Sequence, residues 1–203
     1  MEKPVILCVD DEHFVLNSLK AQLRGQFGKD YSIEITESGE EALDVIRNIL
    51  SSGAPFPIII SDHIMPNMQG DELLIKVHAI SKSTLKIMLT GQANVEAIGN
   101  VVNKASLYRY ISKPWEQSDL IMTVKEALGK YQADRELEIK NEQLVRYNQE
   151  LELKIAERTA ELQKKNEDLT DSINYAKRIQ NAMLPFPDRI AQSLGEDYFN
   201  QLC

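Results

Sequence analysis

The sequence predicts a doubly wound α/β domain on a five-stranded parallel sheet, followed by a long α-helical coiled coil. Three observations carry this. Short, nearly continuous runs rich in Val and Ile alternate with helically spaced segments over about 130 residues, as in a parallel sheet with helices on both faces. From Lys130 to Leu184 the chain has neither glycine nor proline, although eight of its nine glycines lie at or before Gly129. Within that stretch leucines recur every seven residues, the spacing of a coiled-coil seam.

The elements follow in order. "PVILCVDDE" (4 to 12) is the first strand, and Val15, Leu19 and Leu23 mark the first helix. "YSIEIT" (31 to 36) is a weaker strand candidate, followed by Ala42, Leu43, Ile46 and Ile49 at helical spacing. "PIIISD" (57 to 62) is the third strand, and Leu73, Leu74 and Val77 belong to the next helix. "LKIMLTG" (85 to 91) is the fourth, with Val95, Ile98, Val101 and Val102 helical behind it. "LYRYIS" (107 to 112) completes the sheet as a second weak candidate, and "DLIMTVKEALGKY" is the last helix of the domain. These elements give three segments: 1–130 as the α/β domain, 131–184 as a dimerisation helix and 185–203 as a short tail.

Composition narrows the function. The 203 residues carry a net charge of −8, with 13 Lys and Arg against 17 Asp and Glu up to residue 130 and 10 against 14 after it. Neither part offers the basic face that phosphate-backbone binding needs, so no nucleic-acid partner is expected. Cys8 and Cys203 make no disulfide framework, which fits a reducing compartment. No apolar stretch approaches the ~20 residues of a membrane span and no charged-then-apolar leader is present, so a cytoplasmic protein is expected.

In open α/β sheets a ligand site forms at the carboxyl ends of the strands, beside the point where strand order reverses. Here those ends carry Asp10 and Asp11, Asp62, Thr90 and Lys113. Taken singly, each has a plain explanation: a helix cap, a strand end, a surface lysine before proline. Their joint placement at consecutive strand ends favours a site. Three carboxylates in one crevice repel each other unless a cation joins them, and Mg²⁺, which takes oxygen ligands and pairs with phosphate, is the natural candidate. A lysine and a threonine hydroxyl can neutralise the oxygens of a transferring phosphoryl group. An aspartate carboxylate can itself be the nucleophile, and Asp62 is the carboxylate left once Asp10 and Asp11 are assigned to metal.

The stretches "VDDE", "SDHIMPNMQGDELL", "IMLTGQA" and "YRYISKPW" resemble the receiver domain of two-component response regulators, which has the flavodoxin-like fold. The resemblance covers residues 1 to about 130 with its functional positions in order. It implies that Asp62 accepts a phosphoryl group from a partner histidine kinase. It also implies that Asp10 and Asp11 hold Mg²⁺, Asp11 being the favoured direct ligand, with the main-chain carbonyl of Ile64 adding an oxygen. By the same resemblance Thr90 and Lys113 touch the phosphoryl group, Tyr110 is a switch aromatic that turns inward with Thr90, and the bond before Pro114 is cis. The domain then catalyses its own Mg²⁺-dependent phosphorylation and dephosphorylation. Ile64, two residues past the acceptor, can border the route of a hydrolytic water and so prolong the phosphorylated state.

In the glycine-free stretch Leu137, Leu144 and Leu151 form one column of a heptad, and Ile155, Leu162, Leu169, Ala176 and Met183 form the other. Asn141 and Asn148 fall at a; Arg158, Lys165 and Ser172 fall at d. Buried Asn at a specifies pairing at a cost in stability, so a parallel homodimer of modest strength is expected. A single solvated helix held by charge pairs is the alternative. At ~1.5 Å per residue the stretch would reach roughly 80 Å. All three histidines (His13, His63, His78) precede residue 79, which excludes a histidine kinase with its phosphoacceptor in the dimerising helix. No basic recognition element suggests DNA output.

The tail "DSINYAKRIQNAMLPFPDRIAQSLGEDYF" resembles the segment leading into metal-dependent serine/threonine phosphatases of the SpoIIE type. The resemblance implies a phosphatase output beyond "NQLC". A plain helix ended by Pro185 and Pro187 would look similar. The expected function is a response regulator that takes phosphate on Asp62 and passes the change through a dimeric coiled coil to that output. The alternative is a constitutive dimeric scaffold or regulatory fragment of a phosphatase. A third possibility, a hydrolase acting on small phosphates, predicts steady multiple turnover.

Overall fold

The computed structural model describes residues 3–91 and 105–183. The order of elements is β1 (Val5–Val9), α1 (His13–Phe27), β2 (Ser32–Thr36), α2 (Gly39–Ser52), β3 (Ile58–Asp62), α3 (Gly70–Ile80), β4 (Leu85–Thr90), β5 (Leu107–Ser112) and α4 (Gln117–Met183). The helix expected around Val95 to Val102 lies outside the described residues, as does the tail with Pro185 and Pro187.

All five strands are parallel, in the order β2-β1-β3-β4-β5. The order reverses between β1 and β3, so the carboxyl ends of these two strands flank the switch point. β1 and β3 are buried along their whole length because helices cover both faces. On one face Leu7, Val9 and Ile59 pack with Ile46 of α2 and Leu73 and Val77 of α3. On the other, Ile6, Cys8 and Ile60 pack with Leu16, Leu19 and Leu23 of α1 and Leu120 and Val124 of α4. The two weaker strand candidates, β2 and β5, are the edges of the sheet. Each has a neighbour on one side only, so fewer of its positions are buried.

Local sequence sets the helix ends. Ser38 caps α2 by accepting from the Glu41 N–H, and Glu41 reaches back to the Glu37 N–H, a variation on the capping box. Gly53 closes the same helix at φ 77°, where an L side chain would be strained.

The chain divides into two units, Met1–Ile139 and Lys140–Cys203. α4 runs through the boundary as one helix of 67 residues. Its buried residues, Leu120, Thr123, Val124, Ala127 and Leu128, all belong to the first unit. Among the described residues no helix is long and apolar enough to cross a membrane.

Candidate functional site

The carboxyl ends of β1 and β3 bring Asp10, Asp11 and Asp62 together, with one oxygen of each within 4.8 Å of the others. Asp10 and Asp62 are buried and Asp11 is exposed. Lys113, just past β5, spans the crevice: its Nζ lies 2.7 Å from Asp10 Oδ2 and 3.0 Å from Asp62 Oδ1. The other Asp10 oxygen accepts from the Glu12 N–H at 2.9 Å. Burial, the largest influence, lifts Asp10 above the usual carboxylate range even against Lys113 and the Glu12 N–H. Burial alone would lower Lys113, but its hydrogen bonds to Asp10 and Asp62 outweigh it and hold the ammonium above its ordinary value. The pair therefore favours the charged lysine, while Asp10 keeps an unmet demand for positive charge.

Three carboxylates against one ammonium leave two negative charges. Hard oxygen donors with that residual charge suit Mg²⁺. Asp11 is the exposed member of this acidic cluster, and Asp10 and Asp62 are its buried members.

Thr90 ends β4, buried, and pairs in register with Ser112 of β5. Its carbonyl accepts from the Lys113 N–H at 2.7 Å. This backbone bond fixes the turn that aims Lys113 into the crevice, and the Lys113–Pro114 peptide bond is cis. Tyr110 lies on β5 opposite Met88, with its side chain 49% exposed. Ile64 is 67% exposed just beyond Asp62.

The loop after Asp62 is held from several sides. The His63 N–H donates to Leu89 O and the Gly70 N–H to His63 O, each at 2.9 Å. The Met68 N–H donates to Pro66 O at 2.7 Å across Asn67, whose φ is 64°. This is a three-residue turn, and Asn tolerates the left-handed region better than most residues.

Two residues flanking this loop, Gly70 at the start of α3 and Ser61 at the end of β3, were not singled out from sequence. Gly70 approaches the Asp62 main chain so closely that a Cβ there would run into the Asp62 carbonyl oxygen. The Ser61 hydroxyl donates to the same oxygen at 2.9 Å. The glycine between "MQ" and "DELL" was a visible signal, since a helix-opening glycine often marks close backbone approach.

Residues 6–125 match the family model described as the response regulator receiver domain. The hydrogenase transcriptional regulatory protein HoxA of Bradyrhizobium diazoefficiens is 29% identical over 133 residues, 66% of this chain and 26% of that protein. A second HoxA, from Cupriavidus necator, is covered to 24%, so the chain spans about a quarter of these relatives. Among solved structures, a CheY-like receiver domain protein from Methanospirillum hungatei is 33% identical with TM-score 0.58, covering 66% of this chain and 99% of that one. The signal receiver domain of an HD domain-containing protein from Pseudomonas fluorescens is 29% identical with TM-score 0.59, covering 67% and 94%.

Proposed function

The chain belongs to the response regulator receiver family, and from that premise we propose that Asp62 is its phosphoacceptor and that α4 carries the result to an output module as a parallel homodimer. Receiver domains interact with histidine kinases, which supply the phosphoryl group from a phosphohistidine. An Asp62 oxygen attacks phosphorus in line, the P–O bond forms, and the P–N bond to the imidazole breaks. Lys113 offers its ammonium to the phosphoryl oxygens and Thr90 its hydroxyl. Asp10, Asp11, Asp62 and the Ile64 carbonyl would hold Mg²⁺, which supplies Lewis-acid neutralisation of the phosphoryl charge when bound.

The observation that carries this reading is the Lys113 bridge between Asp10 and Asp62 at 2.7 and 3.0 Å. A lysine is thus already poised where the added charge would develop. In the phosphorylated state Thr90 moves toward phosphate and Tyr110, half-exposed on β5, turns into the space it leaves. This converts a local charge into a surface change.

The apolar heptad columns support the dimer, and the resemblance of the tail to the lead-in of SpoIIE-type phosphatases supports a serine/threonine phosphatase as output. A cytoplasmic location fits a kinase partner of this class. The constitutive-scaffold reading draws on the same exposed columns, which exist whether or not Asp62 is phosphorylated.

Incubation with acetyl phosphate and Mg²⁺, followed by intact-mass analysis and light scattering, separates the two. One phosphoryl adduct that disappears in Asp62→Asn, with a change in dimer size or strength, supports the response regulator. A dimer indifferent to the adduct supports the scaffold.

A further inference from the structure

We infer that the face on which a second copy of this chain docks begins at Leu137 and excludes the apolar groove at the base of the sheet; this rests on the homodimer reading above. The groove, of about 280 Å³, is walled by Pro4, Pro55 and Pro57 before β1 and β3, and by Tyr131, Arg135 and Ile139 of α4. Gln132 fastens α4 beside it by donating to the Tyr31 hydroxyl at 2.9 Å. A neighbouring groove uses Asp134, Arg135 and Glu138 of the same helix against Lys82 and Leu85. Between positions 131 and 139, only Ala133 and Leu137 border neither groove.

Helical geometry explains the division. At 3.6 residues per turn, Leu137 stands about 160° round the helix from both Arg135 and Ile139, and Ala133 lies about 40° from Leu137. Leu137 is 59% exposed and starts the apolar column that Leu144 and Leu151 continue at heptad spacing. One step of the frame earlier, Asp134 borders a groove and is paired with Lys130 at 2.9 Å. Three steps back, Ala127 is buried in the domain core. The a/d face of α4 is therefore buried at Ala127, charged and ion-paired at Lys130 and Asp134, and its exposed apolar positions start at Leu137.

The occupant is a second copy because the face is self-complementary. Leu144, Leu151, Ile155, Leu162, Leu169 and Met183 are each 55–80% exposed in a and d positions. The cations that interrupt d are neutralised within their own helix: Arg158 and Lys165 both bind Glu161, at 2.8 and 2.9 Å. Ile179 adds a further apolar d position close to Met183.

Single cysteines at 135, 137, 139 and 144 in the full chain, with Cys203→Ser and buried Cys8 retained, test the inference under mild oxidation. A disulfide needs Cα atoms within about 7 Å, so only positions facing the partner copy cross-link readily. Leu137→Cys and Leu144→Cys are expected to form covalent dimer at least several-fold more than Arg135→Cys and Ile139→Cys. Cross-linking at 135 or 139 equal to that at 137, or at 144 without 137, would overturn the inference and leave the dimer intact. A monomeric mass by light scattering with no cross-link at any position would overturn the dimer reading itself.

Discussion

Most large apolar side chains of the sheet domain lie buried, and those along the later part of α4 lie exposed. Leu7, Ile46, Ile60 and Leu120 are fully enclosed, whereas Leu144 and Ile155 are more than half exposed. Burying a Leu or Ile side chain is worth about 1.5–3 kcal/mol. The first unit thus holds the means of its own stability, and the second carries apolar surface at heptad spacing. Charge follows the same contrast. In the domain, charges converge and are buried: Lys113 between Asp10 and Asp62. Along the helix they form exposed pairs such as Lys154–Glu150, each worth only about 0.3–0.5 kcal/mol. One region gathers charge into a buried crevice, and the other carries exposed apolar columns and surface ion pairs.

The largest effect that tests this contrast is expected at Lys113. Lys113→Ala leaves three carboxylates without their ammonium, and the rate of Asp62 phosphorylation by acetyl phosphate, read by intact mass, should fall by about 10² or more. Light scattering of the same variant should show an unchanged oligomer. The reverse result comes from Leu144→Glu combined with Leu162→Glu. The chain should become monomeric while the thermal unfolding of the sheet domain and the phosphorylation rate stay as they are.

Gly70→Ala should cost about 2–3 kcal/mol in urea unfolding, because the added methyl must displace the Asp62 main chain. Its phosphorylation should slow with the loss of geometry, which an ordinary surface Gly→Ala would not cause. Lys86 offers a pH test. It is buried in β4 beside His78 Nδ1, at 3.0 Å, and burial lowers it from 10.5 to about 8. Between those values the folded chain binds fewer protons than the unfolded one, so stability rises with pH over that interval. Lys86→Met should be the more stable protein at pH 7, by about 1–3 kcal/mol, and the difference should shrink as pH approaches 10. The smallest effect is expected at Ile64. Ile64→Asn should speed loss of the phosphoryl group a few-fold, and an unchanged rate would remove Ile64 from the hydrolytic route.

Much of the fold was legible because parallel strands covered on both faces must be apolar throughout, as β1 and β3 are. β2 and β5 read weakly for the physical reason that they are edges. The gathering of Asp10, Asp11, Asp62 and Lys113 was legible because these residues occupy strand ends, and strand ends in a parallel sheet share one side. What stayed hidden depends on the third dimension. "LKIMLT" looks like an apolar strand with one surface lysine, yet Lys86 is enclosed and reaches the carbonyls of Ser81 and Lys82 past the end of α3. No local pattern tells a lysine whose stem is covered from one lying along the surface. At Gly70 the glycine itself is visible in the sequence, but the reason for it, the Asp62 main chain across the loop, is not.

The central claim is that Asp62 alone becomes an acyl phosphate. Borohydride reduces an aspartyl phosphate to homoserine, so treatment of the acetyl-phosphate-labelled chain followed by peptide mass mapping locates the acceptor. Homoserine at position 62, absent in Asp62→Asn and absent without Mg²⁺, is the predicted result. Homoserine at 10 or 11, or an unmodified Asp62 in a chain that carries the phosphoryl group elsewhere, would contradict it.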